Sequence, residues 1–322
     1  MDYEAVASQL LRALRGRRSQ TALSRRLGYR SNVVYTWESG SGFPTAARCF
    51  GVAARVGVDP DQAVTRFYGR RPDWLDRGSL TSPAGVAAFL TDLRGRQPLG
   101  DLAEAVGRNR YALARWFKGE AEPRLPDFLR VVEATSLRLL DFLGAFVDLG
   151  NLPAVSAAGE QLAAARRIAH EAPWSHAVLH ALELSGYSEL ERHEPGWIAQ
   201  RVGISRKEEE LCLQSLQAAG QIEWSHERWQ PRAVSTLDLR HDARATRELA
   251  TWCAGLGSER LAQGGPGAFA FNVFSVSSQD FDRLRQLQRE YFGQLRAIIA
   301  ESEPAEHLVV VNLQLFELGS GD

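Results

Sequence analysis

Arg30, Ser31, Asn32, Tyr35 and Thr36 fall within the seven-residue stretch RSNVVYT. A guanidinium donates to two acceptors at once, which matches O6 and N7 of guanine. A carboxamide both donates and accepts, which matches adenine. Arg17, Arg18, Gln20 and Arg25 lie just upstream and carry donors suited to phosphate oxygens. Residues 1–71 hold 12 Arg against five acids, residues 72–150 hold ten basic residues against 11 acids, and residues 151–322 hold 16 against 23. A basic head on an acidic body is the distribution expected when only the head touches a polyanion.

Other chemistries leave no comparable trace. There is no Walker-type loop, no GxSxG and no HExxH, and Gly264, Gly265 and Gly267 read as a turn. Cys49, Cys212 and Cys253 stand far apart without CxxC spacing, so neither a disulfide framework nor a zinc site is expected. His176 and His180 are four residues apart, with His170 nearby, but lack acidic or thiol partners at ligand spacing. Asp280, Asp282 and Glu290 read as helix-start and surface acids. The expectation is a protein that is not an enzyme and has no cofactor and no metal. No run of about 18 apolar residues predicts a membrane span, and the N-terminus has its basic cluster after its apolar residues, the reverse of a leader; a cytoplasmic location is expected.

The elements that must position these residues occur twice. At an offset of 79, Trp37, Gly40 and Pro44 match Trp116, Gly119 and Pro123; LRGR at 14–17 matches 93–96; Gly28 matches Gly107. Leu23, Leu27 and Val34 match Leu102, Val106 and Leu113, so the shared positions are those that shape a fold. The stripe Val6, Leu10, Leu11, Leu14 predicts a helix ending at Gly16, and Ser19 caps a short second helix that Gly28 stops. A third begins near Ser31 with Val34 and Trp37 inward, a fourth follows Pro44, and Asp59-Pro60 opens a fifth. Two short helices around a Gly-containing turn, inside five, predict a helix-turn-helix.

The stretch SQTALSRRLGYRSNVVYTWESGSGFP resembles the phage-repressor (Xre-type) helix-turn-helix on Gln20, Leu23, Leu27, Gly28, Trp37, Glu38 and Gly40. It departs from that pattern at Ser41, Gly42 and Phe43, where relatives often carry a basic residue before the Pro. The resemblance implies that Arg30, Ser31, Asn32, Tyr35 and Thr36 meet base edges in the major groove, with Arg17, Arg18, Gln20 and Arg25 on phosphates. The second copy has Leu99 in place of the Gln, Phe117 in place of the Glu, and acids at Glu120 and Glu122. It still offers Arg108, Asn109, Arg110, Tyr111, Arg115 and Lys118, and either touches DNA, packs against the first copy or serves dimerisation.

Downstream, GNLPAVSAAGE at 150–160 reads as a small-residue linker. WIAQRVG and SRKEEELCLQSLQAAG, with Ser205 and Glu208 placed for a capping box, followed by the alternating QIEWSHERWQ, predict a winged-helix-like segment. Glu208, Glu209 and Glu210 on its second helix would repel phosphate, which favours a scaffold or interaction role. A helix at about 240–262, a strand AFAFNVFSVS, a helix from Asp280 and a strand HLVVVNLQLFEL predict an α+β module. STLDL at 235–239 and these last two apolar stretches resemble the C-terminal region of an uncharacterised family of bacterial helix-turn-helix regulators over about 160–320.

The expected fold is mainly α: helix-turn-helix bundles at 1–71 and 80–150, a winged-helix-like domain at 160–234, and an α+β module at 235–322 for regulation or dimerisation. The expected function is sequence-specific recognition of double-stranded DNA by a transcriptional regulator. It would be a homodimer, its C-terminal half meeting a protein partner or small-molecule effector. The alternative is a protein-interaction adaptor built on helix-turn-helix folds without specific DNA binding.

Overall fold

A computed structural model of the chain describes residues 1–232, 243–300 and 302–319. The described residues are mainly helical, with one two-stranded antiparallel sheet. They form two compact units, one ending at Ala163 and the other starting at Ala164.

In the first unit, α1 (Tyr3–Arg15) starts where the Asp2 carboxylate accepts from the Glu4 and Ala5 amides, and buries Val6, Leu10, Leu11 and Leu14. α2 (Gln20–Arg26) is capped by the Ser19 hydroxyl. α3 (Val33–Glu38), α4 (Ala46–Val56) and α5 (Pro60–Tyr68) follow, the last with Asp59 as cap and Pro60 in its first turn. A second set repeats the order: α6 (Pro83–Arg94), α7 (Leu99–Val106), α8 (Arg110–Phe117), α9 (Leu125–Ser136) and α10 (Leu139–Gly144). Gly28 and Gly107 close α2 and α7 at φ 85° and 64°, left-handed values that a side chain rarely adopts.

The two sets share one hydrophobic core. Phe50 and Phe67 from the first interlock with Phe89, Phe128 and Phe142 from the second, at ring separations of 5.3–6.1 Å. Buried Arg138 donates to the Phe67 carbonyl at 2.9 Å and lies over the Phe67 ring. The supposed linker belongs to this core as well. Leu152 and Val155 are buried, and the Ala154 amide donates to Gln9 Oε1 at 2.8 Å. Small residues mark this stretch because it must pack closely, as at Gly159 against Leu149.

α11 (Ser156–Glu171) leads into the second unit. There α12 (Ser175–Ala181), α13 (Ser185–Ser188), α14 (Trp197–Val202) and α15 (Arg206–Ala218) are followed by the hairpin β1 (Ile222–Ser225) and β2 (Arg228–Pro231). The hairpin turns at His226 and Glu227, both at positive φ, and sets Trp224 opposite Trp229. A core of Val178, Leu182, Tyr187, Ile198, Cys212 and Leu216 holds these elements. α16 (Ala243–Ala262) and α17 (Ser278–Ala300) complete the unit.

The expected strand–helix–strand module is corrected in part. Its helix forms as α17, but among the described residues neither 268–277 nor 307–318 joins a ladder. Alternation decides which side chains share a face, whereas a strand also needs a neighbour for its backbone N–H and C=O groups. Phe271 and Phe316 are exposed instead. STLDL at 235–239 lies outside the described residues.

Candidate nucleic-acid interface

The α2–α3 corner is held by a buried polar cluster. Glu38, at the C-terminal end of α3, has a side chain only 1% exposed. It accepts from Arg15 Nε at 2.6 Å and Nη2 at 3.1 Å, and from Gln20 Nε2 at 2.7 Å. A buried carboxylate is tolerated only when charged and polar donors replace its water, and here α1, α2 and α3 each contribute to that replacement. The Ser24 hydroxyl adds a second tie, accepting from the Val34 amide at 3.1 Å and donating to Asn32 Oδ1 at 3.2 Å. Trp37 is buried and meets the Tyr29 ring edge-on at 5.8 Å. Tyr29 in turn accepts from Arg48 Nε at 2.7 Å.

On this frame Arg30, Ser31, Asn32, Tyr35 and Thr36 are all exposed, while Val34 and Trp37 are buried. Arg17, Arg18 and Arg25 are exposed around α2. Gln20 differs from these three, since one of its amide hydrogens is engaged by Glu38 and the residue is half-buried. Arg15 and Glu38 were not singled out by sequence reasoning as a pair. The available signal was the joint change at equivalent positions: Arg94, Leu99 and Phe117 stand where Arg15, Gln20 and Glu38 do. In the second copy Arg94 lies over the Phe117 ring at 4.8 Å, so a cation–π contact replaces the ion pair.

The second copy spends several of its candidates on its own fold. Arg108 pairs with Asp127 at 2.6 Å, and Asn109 caps α8 by accepting from the Tyr111 amide at 2.8 Å. Lys118 stands 4.0 Å from Glu120. Arg110, Tyr111 and Arg115 remain exposed on α8, Tyr111 by 81%.

In the second unit the three carboxylates of α15 have separate jobs. Glu208 completes the capping box with Ser205. Glu209 is buried and accepts from the Gly196 and Ala199 amides at 3.0 and 2.6 Å, capping α14 from a neighbouring helix. Glu210 joins Arg206, His193, Trp224 and Trp229 around a cavity of about 300 Å³. Tyr187 Oη accepts from the Trp229 amide at 3.2 Å and lies within hydrogen-bond distance of His193 Nδ1 at 3.1 Å, while His193 Nε2 stands 3.7 Å from Glu209. Burial lowers the His193 pKa, against the opposing pull of Glu209. Burial pushes the Cys49 and Cys212 thiols up to about 12, which makes both poor nucleophiles. Among the described residues no three His, Cys, Asp or Glu side chains gather as metal ligands, and no helix is long and apolar enough to cross a membrane.

Residues 156–318 match the family model described as Domain of unknown function (DUF4423). The match takes in half of the chain, and the chain belongs to that family. No curated protein and no solved structure matches it.

Proposed function

We propose that this protein is a sequence-specific DNA-binding transcriptional regulator whose first helix-turn-helix reads the major groove. One observation carries the reading: five polar side chains, Arg30, Ser31, Asn32, Tyr35 and Thr36, stand exposed over a corner locked by Glu38 and Trp37. A rigid short helix presenting a guanidinium and a carboxamide matches what base recognition requires. The exposed Arg17, Arg18 and Arg25 flank it as phosphate contacts. Gln20 takes a positioning role in this reading, through Glu38.

The acidic second unit stays off DNA and serves assembly or effector and partner binding. Two of the α15 carboxylates are committed to helix caps, which fits a scaffold better than a groove reader.

The test is selection of bound sequences from a random duplex pool by the full chain. An enriched motif that Arg30→Ala and Asn32→Ala bind less tightly than the unaltered chain supports the reading. The absence of any motif at low salt overturns it in favour of a protein-interaction adaptor.

A further inference from the structure

The two copies in the first unit meet through equivalent residues. Thr45 and Arg124, 79 positions apart, form an antiparallel bridge. The Ala46 amide donates to the Pro123 carbonyl at 3.0 Å, and the Leu125 amide donates to the Pro44 carbonyl at 3.0 Å. Each bond is the image of the other under the 79-residue shift. Farther in, Arg66 donates to the carbonyl of its own counterpart, Ala145, at 2.6 Å. The helices obey the same rule: α1 packs on α9 as its counterpart α6 packs on α4, and α4 meets α9 and α5 meets α10. Reciprocal contact between identical positions is the mark of a twofold axis; a head-to-tail repeat would join unlike surfaces.

The bridge also fixes where the reading helices lie. Seven residues join the end of α3 at Glu38 to Thr45, and seven join the end of α8 at Phe117 to Arg124. At about 3.5 Å per residue, each helix end is held within about 25 Å of the axis. Both flank the same end of it, and their ends are at most about 55 Å apart. Half-sites one DNA turn apart, about 34 Å, are within this reach.

From this internal symmetry we infer that one chain of this protein binds a duplex carrying two inverted half-sites about one turn apart. The inference rests on the DNA-binding reading above and specifies the target that reading leaves open. The half-sites are unlike each other, because the reading positions differ: Arg30, Ser31 and Asn32 on one side correspond to Asn109, Arg110 and Tyr111 on the other. Asn109 acts mainly as a cap, so the second half-site is read chiefly through Arg110 and Arg115.

The experiment is selection from a random duplex pool by the full chain, followed by native mass spectrometry of the complex with the winning duplex. The expected result is two inverted, non-identical half-motifs at constant spacing with one chain bound. Arg30→Ala should relax base preference in one half only, and Arg115→Glu in the other only. A direct repeat, a lone half-motif untouched by Arg110→Ala and Arg115→Glu, or two chains on a true palindrome would overturn the inference and leave DNA recognition standing. Failure to enrich any motif would overturn both.

Discussion

Arg15 and Glu38 form a two-pronged ion pair at 2.6 and 3.1 Å, with the carboxylate inside the first bundle and the guanidinium at its edge. The pair joins α1 to the end of α3, and Gln20 brings α2 to the same carboxylate. Removing one partner of such a pair leaves a buried charge or donor unmatched, which costs more than the pair itself contributes.

Glu38→Ala should therefore destabilise the protein by about 3 kcal/mol, read by urea denaturation of the full chain. The second copy shows another way to fill this space. Gln20→Leu combined with Glu38→Phe should recover part of that loss, with Arg15 resting on the new ring as Arg94 rests on Phe117. If the double variant is no more stable than Glu38→Ala, the two corners are not interchangeable.

Binding variants should separate into two kinds. Arg30→Ala or Asn32→Ala should each cost about 1–3 kcal/mol on the selected site and relax preference at one base position. Arg25→Ala should weaken binding evenly across sequences and lower the salt slope by about one. Arg25 and Arg30 are exposed, so thermal stability should hold in their variants, whereas Asn32→Ala also removes the acceptor of the Ser24 hydroxyl. A melting temperature that falls together with binding would count against these roles.

Gly85 is required by shape. A Cβ there would overlap the Ser79 carbonyl, part of the backbone turn that caps α6. Gly85→Ala should cost about 2–4 kcal/mol, because a backbone obstacle cannot rotate away. Gly100→Ala, on α7 with open space around it, should be neutral or slightly stabilising in the same melt.

Acid should weaken the second unit through His176. Burial, and then the adjacent His180, lower its pKa to about 4, below the ordinary value near 6.5. The unfolded chain takes up this proton first, so the contribution is complete above about pH 6.5 and is lost as pH falls toward 4. The loss should be on the order of 2 kcal/mol, and His176→Gln should flatten that part of a stability–pH curve. A curve that His176→Gln leaves unchanged would remove His176 as the cause.

Much of the first unit was legible because its signals are local. Ser19, Asp59-Pro60, Gly28 and Gly107 punctuate helices through their own backbone preferences, and those positions stop and start helices in the structure. The Glu38 cluster was less legible, since Arg15, Gln20 and Glu38 are joined only by tertiary folding. The twofold was not legible at all. A repeat offset states that two pieces are alike, while the operator relating them depends on which surfaces meet, here Pro44 to Ala46 with Pro123 to Leu125. The C-terminal strands misled for a related reason, since Val309 and Val311 carry strand character without a neighbouring ladder.

The interlocked phenylalanines have a consequence for synthesis. Phe50 and Phe67 find their partners in Phe89, Phe128 and Phe142, which are made later. At about 5–20 residues per second, the 79-residue lag between copies leaves the first waiting roughly 4–16 s on the ribosome with its aromatic face uncovered. The first copy can be translated alone, but its interior closes only when the second arrives, so nascent chains stalled between the copies should be the ones that proteases and chaperones find.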